Sequence, residues 1–340
     1  MSRCYKDEQC HYHEALIKEN PNLFNNDEGG MIFYGHPRGY VLNDGRNNLY
    51  KPICEDVIAY FNDNRISWWN GQMPTGNTLS SQIACLNHLF AIRGDKGALL
   101  DMLNGVKCGV KFQDLLAIEC DSDPQYISFE VVSKVDHLNE TKSRGKLTRG
   151  ANCTSVDALI YAVDATGKRW LIPIEWKYTE HYNKDDKSNE DRAKEPKGSN
   201  GRGETRLNRY TSLIDASEQL KTLKEYRGSI YFQEPFYQLM RQTLWVENMV
   251  KHQATEQIVA DDYLHLHVVP SANRTLLDRR YNIPNKEGIA ADCKGMEETW
   301  KSMLAHPDKY IVIDPEQLFT PIIDRYKVLS DYLRVRYWHK

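Results

Sequence analysis

The sequence predicts an α/β fold in which helices and strands alternate along the middle of the chain. Three observations predict it. Ser155–Val163 (SVDALIYAV) and Arg169–Trp176 (RWLIPIEW) are β-rich runs joined by Asp-Ala-Thr-Gly at 164–167, the clearest hairpin signal present. Phe236–Val250 (FYQLMRQTLWVENMV) is amphipathic, with Leu239, Met240, Leu244, Val246 and Val250 giving it a broad apolar face. Tyr263–Val269 (YLHLHVV) follows as another strand, closed by Pro270.

The remaining elements fall around these. Residues 1–75 are polar and rich in Asn, Gly and Tyr. One helix is expected there, over Pro52–Phe61, where Ile53, Val57, Ile58 and Phe61 recur at helical spacing. Asn62–Thr78, with two Trp, Pro74 and Gly76, is an irregular connection. A helix opens at Thr78–Gln82 and carries Ile83, Leu86 and Phe90, and a second spans Asp95–Leu103. Tyr126–Val132 (YISFEVV) is a strand, followed by the basic, turn-rich loop NETKSRGKLTRG at 139–150. Residues 183–209 are almost wholly polar and predict a long mobile loop, with 8 Lys and Arg against 6 acids. Helical segments are expected at Thr299–Leu304 and Pro315–Leu333. Residues 1–77 then form an N-terminal extension packed on a core of 78–340 that ends in a helical addition.

Composition narrows the class. In 340 residues, 41% hydrophobic and 27% charged describe an ordinary globular chain with room for a sizeable core. No run approaches the length of a membrane span, and the N-terminus lacks the apolar stretch of a secretory signal, so a cytoplasmic protein is expected. The net charge of −3 does not advertise nucleic-acid binding, although 44 Lys and Arg can be segregated onto one face. The 8 cysteines contain no CxxC pair. Their one cluster with histidine is Cys4, Cys10, His11 and His13, whose irregular spacing on a loose terminus makes scattered thiols the plainer reading.

The hairpin carries the chemistry. If Val163 faces Lys168 or Arg169, Asp157 faces Ile174 or Glu175, so two carboxylates arrive side by side on neighbouring strands. Glu175 and Lys177 share a face by alternation, and Trp176 points the other way. Crowded carboxylates raise each other's pKa and call for a compensating cation. Mg²⁺ suits one or two carboxylates plus substrate phosphate, and Mn²⁺ can substitute. The lysine would position or deprotonate the attacking water, or stabilise developing charge. A Glu-x-Lys on a strand also arises by chance, so register and apolar context carry the argument.

Asp157 followed by Glu175-Trp176-Lys177 across a hairpin resembles the PD-(D/E)XK nuclease superfamily, with Val-Asp in place of the usual Pro-Asp. SSQIACLNHLF (80–90), TSVDALIYAVDATGKRWLIPIEWKYTE (154–180) and FYQLMRQTLW (236–245) are similar to a bacterial group of restriction endonucleases, over residues 78–270. The resemblance implies a restriction-endonuclease-like αβββαβ core, a mixed central sheet flanked by helices, within additions at both ends. It implies Asp157 and Glu175 as metal ligands and Lys177 as catalytic base or charge stabiliser. The helix acid frequent in the superfamily is Gln82 here, and Glu130 on the first strand is the candidate to replace it. Gln238, with Arg241 and Gln242 on one helix face, is a candidate to point at the site.

The reaction class expected is metal-dependent hydrolysis of DNA by a restriction-type endonuclease. A catalytically inert binding protein of the same fold and a repair or RNA-processing nuclease are the alternatives. Lys142, Arg144, Lys146 and Arg149 would meet the nucleic acid, and the 183–209 loop could clamp it. A second copy of the chain and a cognate methyltransferase are partners compatible with this reading, and no membrane is. His265 and His267 share a strand face without an evident third ligand and read as polar-face residues, while His88 reads as packing or surface.

Overall fold

A computed structural model describes residues 4–69, 71–141, 146–183, 185–191, 201–284 and 290–339. In chain order the elements begin with α1 (Tyr5–Glu19), the small hairpin β1 (Ile32–Phe33) and β2 (His36–Pro37), α2 (Cys54–Asp63), α3 (Ser81–Leu89) and α4 (Lys96–Gly105). The sheet strands β3 (Phe112–Leu115), β4 (Ile127–Val131), β5 (Val156–Asp164) and β6 (Arg169–Trp176) follow. Then come α5 (Arg202–Asp215), α6 (Phe236–Lys251), β7 (Asp262–Tyr263), β8 (His265–Val268) and α7 (Arg274–Leu277). The chain closes with β9 (Tyr281–Pro284), β10 (Ala290–Lys294), α8 (Met296–Ser302), β11 (Tyr310–Ile313), α9 (Pro315–Phe319) and α10 (Lys327–Arg336).

The centre is a mixed seven-stranded sheet. Its path runs β11-β8-β6-β5-β3, with β4 also on β5 and β7 on β6. β4, β5 and β6 are antiparallel neighbours, and β8 and β11 continue the sheet in parallel. The order α3-β4-β5-β6-α6-β8 is the helix and strand succession expected. The hairpin pairs Val163 with Arg169 and Ala158 with Ile174, within the register expected, so Asp157 and Glu175 follow at the open end. Ser80 caps α3 by accepting from the Ile83 amide, and Asp95 caps α4 through the Ala98 amide.

Alternation along the strands divides the core in two. Ile160, Ile172 and Trp176 pack toward α2, α3, α4 and α10, whereas Leu159, Tyr161 and Leu171 pack toward α5, α6 and α8. Val57, Tyr60 and Phe61 belong to the same apolar mass as α3, so part of the N-terminal region is continuous with the central core.

Several elements depart from expectation. α1 is a full helix although the sequence there reads as loose, because its inward face is built from Tyr5, Gln9 and His13 together with Leu16 and Ile17. The His13 Nε2 and the Gln9 carbonyl both meet the Tyr178 hydroxyl, at 2.7 and 2.8 Å. Residues 202–209, expected in a loop, open α5, since Leu207, Tyr210 and Ile214 form a buried stripe at helical spacing. Residues 185–191 are packed as well: Ser188 is fully buried, and its carbonyl accepts from Arg227. Residues 184 and 192–200 of the expected loop lie outside the described residues. β11 was not expected, because YIVI is short and gives no period that separates strand from helix. No helix among the described residues is long and apolar enough to cross a membrane.

Candidate active site

β5 and β6 part after the Ala158–Ile174 pair, and the site is built where they separate. The Trp176 amide donates to Asp157 Oδ2 at 2.7 Å, so a carboxylate occupies a place where a strand carbonyl would otherwise accept. The Lys177 amide donates to the Val268 carbonyl at 2.8 Å, which holds the end of β6 on β8. Glu175 is fully buried and Lys177 is 5% exposed. Their side chains form a direct ion pair, with the ammonium on Glu175 Oε1.

Glu130 completes the acidic group through an unusual backbone. Its neighbours pair as Phe129 with Ala158 and Val131 with Val156, which sets Glu130 opposite Asp157. It has φ 50°, in the left-handed region that a non-glycine residue seldom adopts. The consequence is visible in the packing. A regular strand sends residues i and i+2 to one face, yet Phe129 packs toward α2 and α3 while Val131 packs on the opposite side. The twist at Glu130 thus interrupts the face alternation of β4 beside the site, while Val131 still pairs with Val156. The carboxylate itself accepts from Gln82 Nε2 at 2.7 Å and from the Ser155 hydroxyl at 2.9 Å.

α6 supplies the opposite wall. Gln238 and Gln242 are one turn apart. Gln238 Oε1 accepts from the Lys177 ammonium at 2.6 Å, and Gln242 Nε2 donates to Glu175 Oε2. The Gln242 carbonyl oxygen is buried without a hydrogen-bond partner. Arg241, between them, turns instead to Glu140, at 3.0 Å. Together these groups line a cleft of about 500 Å³.

The electrostatics follow from crowding. Burial first, then the charges of Glu175 and Glu130, push the Asp157 carboxyl well above its ordinary range. Burial likewise raises Glu130, outweighing the hydrogen bonds from Gln82 and Ser155. For Lys177, burial alone favours the neutral amine. Glu175 foremost, with Tyr182, Glu180 and Asp157, overcomes this and holds the group charged. A buried cation therefore stands among carboxylates that burial would otherwise protonate.

Asp157, Glu175, Lys177, Glu130, Gln82 and Gln238 all line this cleft. The expected nucleic-acid contacts are not gathered there in the same way. Lys146 is exposed, and Lys142 and Arg144 lie outside the described residues. Arg149 turns inward: it donates to Asp121 Oδ1 at 2.8 Å and to the Tyr60 hydroxyl and Ser128 Oγ, both at 3.0 Å. This network ties α2 to β4. Arg149→Ala is expected to lower stability by about 3 kcal/mol, because it strands the buried Asp121 charge. Urea unfolding tests this, and an unchanged midpoint would return Arg149 to the substrate.

His13, His88, His265 and His267 are buried in the packing. His13 is fully buried, and no group of three or more His, Cys, Asp or Glu among the described residues is disposed as a complete metal cage. His265 and His267, expected on a polar face, are both buried in β8 beside β11, and His267 Nδ1 meets the Tyr310 hydroxyl at 2.7 Å. Burial keeps both neutral. His88 packs, with Trp338 donating to its Nε2 at 3.0 Å.

Sequence reasoning missed Ser155 and Glu180. Ser155 stands two residues before Asp157, and Glu180 two after Tyr178, whose amide it accepts at 2.6 Å. Their nearness in sequence to the hairpin was the available signal. Nothing in sequence marked Lys6 and Trp69, which reach the cleft from the N-terminal region.

Among curated proteins and among solved structures nothing matches the chain. A family model described as "Restriction Endonuclease associating with ARP" matches residues 6–338. With nearly every residue covered, from α1 to α10, the chain belongs to this restriction endonuclease family.

Proposed function

We propose that the chain is a Mg²⁺-dependent deoxyribonuclease of the PD-(D/E)XK type, cutting phosphodiester bonds within DNA. The observation that supports this most is the placement of Asp157, Glu175 and Lys177 in one cleft where the hairpin opens. The donor set fits the metal. Mg²⁺ takes hard oxygens, keeps several waters and needs only one or two carboxylates, so the lack of a three-residue cage among the described residues is compatible with it. Mn²⁺ fits the same donors. Asp157 and Glu175 would hold the ion, and the raised Asp157 carboxyl would gain most from a nearby cation. When bound, the metal supplies positive charge and a more acidic water.

The chain's own residues divide the remaining work. Gln242 fixes the direction of the Glu175 carboxylate, and the Trp176 amide fixes that of Asp157. Gln238 holds the Lys177 ammonium, which is placed to orient the attacking water and to offset charge on the phosphate. Water adds across one P–O ester bond, leaving a phosphate monoester on one fragment and a hydroxyl on the other. Glu130, held by Gln82 and Ser155, adds a third carboxylate at the edge of the group.

The test is cleavage of supercoiled plasmid with Mg²⁺, with Mn²⁺ and with EDTA, beside Glu175→Gln as the background control. Nicked or linear product is expected with either ion alone, and none from the variant. Cleavage that persists in EDTA would overturn the metal dependence. Cleavage of RNA with none of DNA would move the substrate assignment.

A further inference from the structure

The β1–β2 hairpin presents apolar groups that neither the core nor the turn explains. Ile32 is 69% exposed and Tyr34 72% exposed, with Met31 beside them at 46%. The turn residues Tyr34 and Gly35 have φ 48° and 78°. Two-residue turns of that kind favour Asn-Gly, and a bulky aromatic in the first place is a costly choice for the turn itself.

The base of the hairpin is pinned. Asp27 Oδ1 accepts from the Gly29 and Asn43 amides, both at 3.0 Å, and Oδ2 from the Asp44 amide at 2.9 Å. Gly29 lies so close to Gly39 that a Cβ there would stand 2.4 Å from its carbonyl oxygen. An anchored base holding out an apolar tip is the geometry of a group meant to meet something.

The tip is continuous with the active-site cleft. Phe33 lies 4.4 Å from Tyr34 and 6.4 Å from Trp69, between ring centres. Trp69 is 45% exposed and lines the cleft. Its amide donates to Gln82 Oε1 at 3.1 Å, and Gln82 is the residue that holds Glu130. A second hollow of about 440 Å³, lined by Lys6, Pro37 and Arg38 and also by Asp7 and Glu14, is not purely basic, and it adjoins the cleft at Lys6. Lys6 and Arg38 are exposed, and neither forms an ion pair among the described residues. Stacking rings, an apolar wedge and unpaired cations on one lip suit a polyanion with flat bases.

We propose that this hairpin is a wedge against substrate DNA, with Tyr34 and Ile32 packing on a base step beside the scissile phosphate and Lys6 and Arg38 on the flanking backbone. The inference rests on the nuclease reading and names how the substrate is gripped.

The test uses the full chain and a duplex spanning a cut site mapped on plasmid, carrying 2-aminopurine at one position in each duplex. Binding is measured in Ca²⁺. Wild type is expected to raise the fluorescence of 2-aminopurine near the cut. Tyr34→Ser with Ile32→Ser should abolish that rise and bind roughly tenfold to a hundredfold more weakly, the loss of one or two stacking contacts. Tyr34→Trp should keep both, and melting should be unchanged throughout, since these side chains stand in solvent. If the double variant binds and unstacks like wild type while Glu175→Gln still fails to cut, the wedge is wrong and the nuclease reading stands. If the double variant instead dissociates a dimer and keeps full DNA affinity, the patch joins two copies and the proposal falls. If wild type neither binds nor cuts DNA, both readings fall together.

Discussion

Lys177→Ala is expected to abolish cleavage and to lower stability by about 3–5 kcal/mol, the range for removing one partner of a buried ion pair. The lysine side chain is 6% exposed and that of Glu175 1% exposed, so water cannot replace the lost cation. The charges of Glu175 and Glu130 already act on Asp157, and Asp157 loses the opposing charge of Lys177 as well. The sign with pH follows. Lys177 has a folded pKa above its ordinary value, so its contribution is complete below the ordinary lysine range and fades as pH climbs through the raised one. Urea unfolding at pH 7 should therefore show the full loss. Should Lys177→Ala fail to fold, the double change with Glu175→Gln separates the two roles. Removing both charges is expected to recover much of the stability and none of the cleavage. An active Lys177→Ala protein, or one with a wild-type midpoint, would remove Lys177 from the centre of the site.

That centre was legible because its logic is local. Strand alternation, a four-residue connection and apolar flanks suffice to bring Asp157 opposite Glu175 and to separate Lys177 from Trp176. Gln238 and Gln242 were readable as one helix face for the same reason, and only their direction toward the sheet had to be learned. Glu130 was recognisable as a strand acid. Its left-handed backbone was not, since nothing in YISFEVV distinguishes a strand that reverses its faces from one that alternates throughout. The N-terminal region misled because polar residues do the packing. Gln9, His13 and Asn48 are buried through hydrogen bonds, and such bonds are between residues far apart in sequence. Arg336 is the extreme case, fully buried with its guanidinium on the Asn48 carbonyl and the Tyr332 hydroxyl. Arg149 misled in the same way, since a basic residue in a loop reads as solvated until its buried partner is known.

Asp157→Asn is expected to reduce cleavage by at least about a hundredfold, the scale for losing one group that acts on developing charge, while making the protein more stable at neutral and higher pH. The two effects have one cause. Asn retains an oxygen to accept from the Trp176 amide, so the strand ends keep their bond. What disappears is a carboxyl whose pKa burial and two neighbouring acids push up. Between its ordinary and its raised value the folded chain binds more protons there than the unfolded chain, so wild-type stability falls as pH climbs through that window. Above the window the whole penalty remains. The variant has nothing to ionise at this position, so its melting temperature should exceed that of wild type near pH 8, and the two should converge near pH 4. Mg²⁺ adds an independent arm. An ion that binds the folded chain stabilises it in proportion to its affinity. Wild type should therefore gain melting temperature in Mg²⁺ and the variant little, because it has lost both a ligand and the crowding that the ion relieves. A variant that melts below wild type at pH 8 would show that the Asp157 carboxyl is not held above its ordinary range, and one that gains as much from Mg²⁺ would show that Asp157 is no metal ligand.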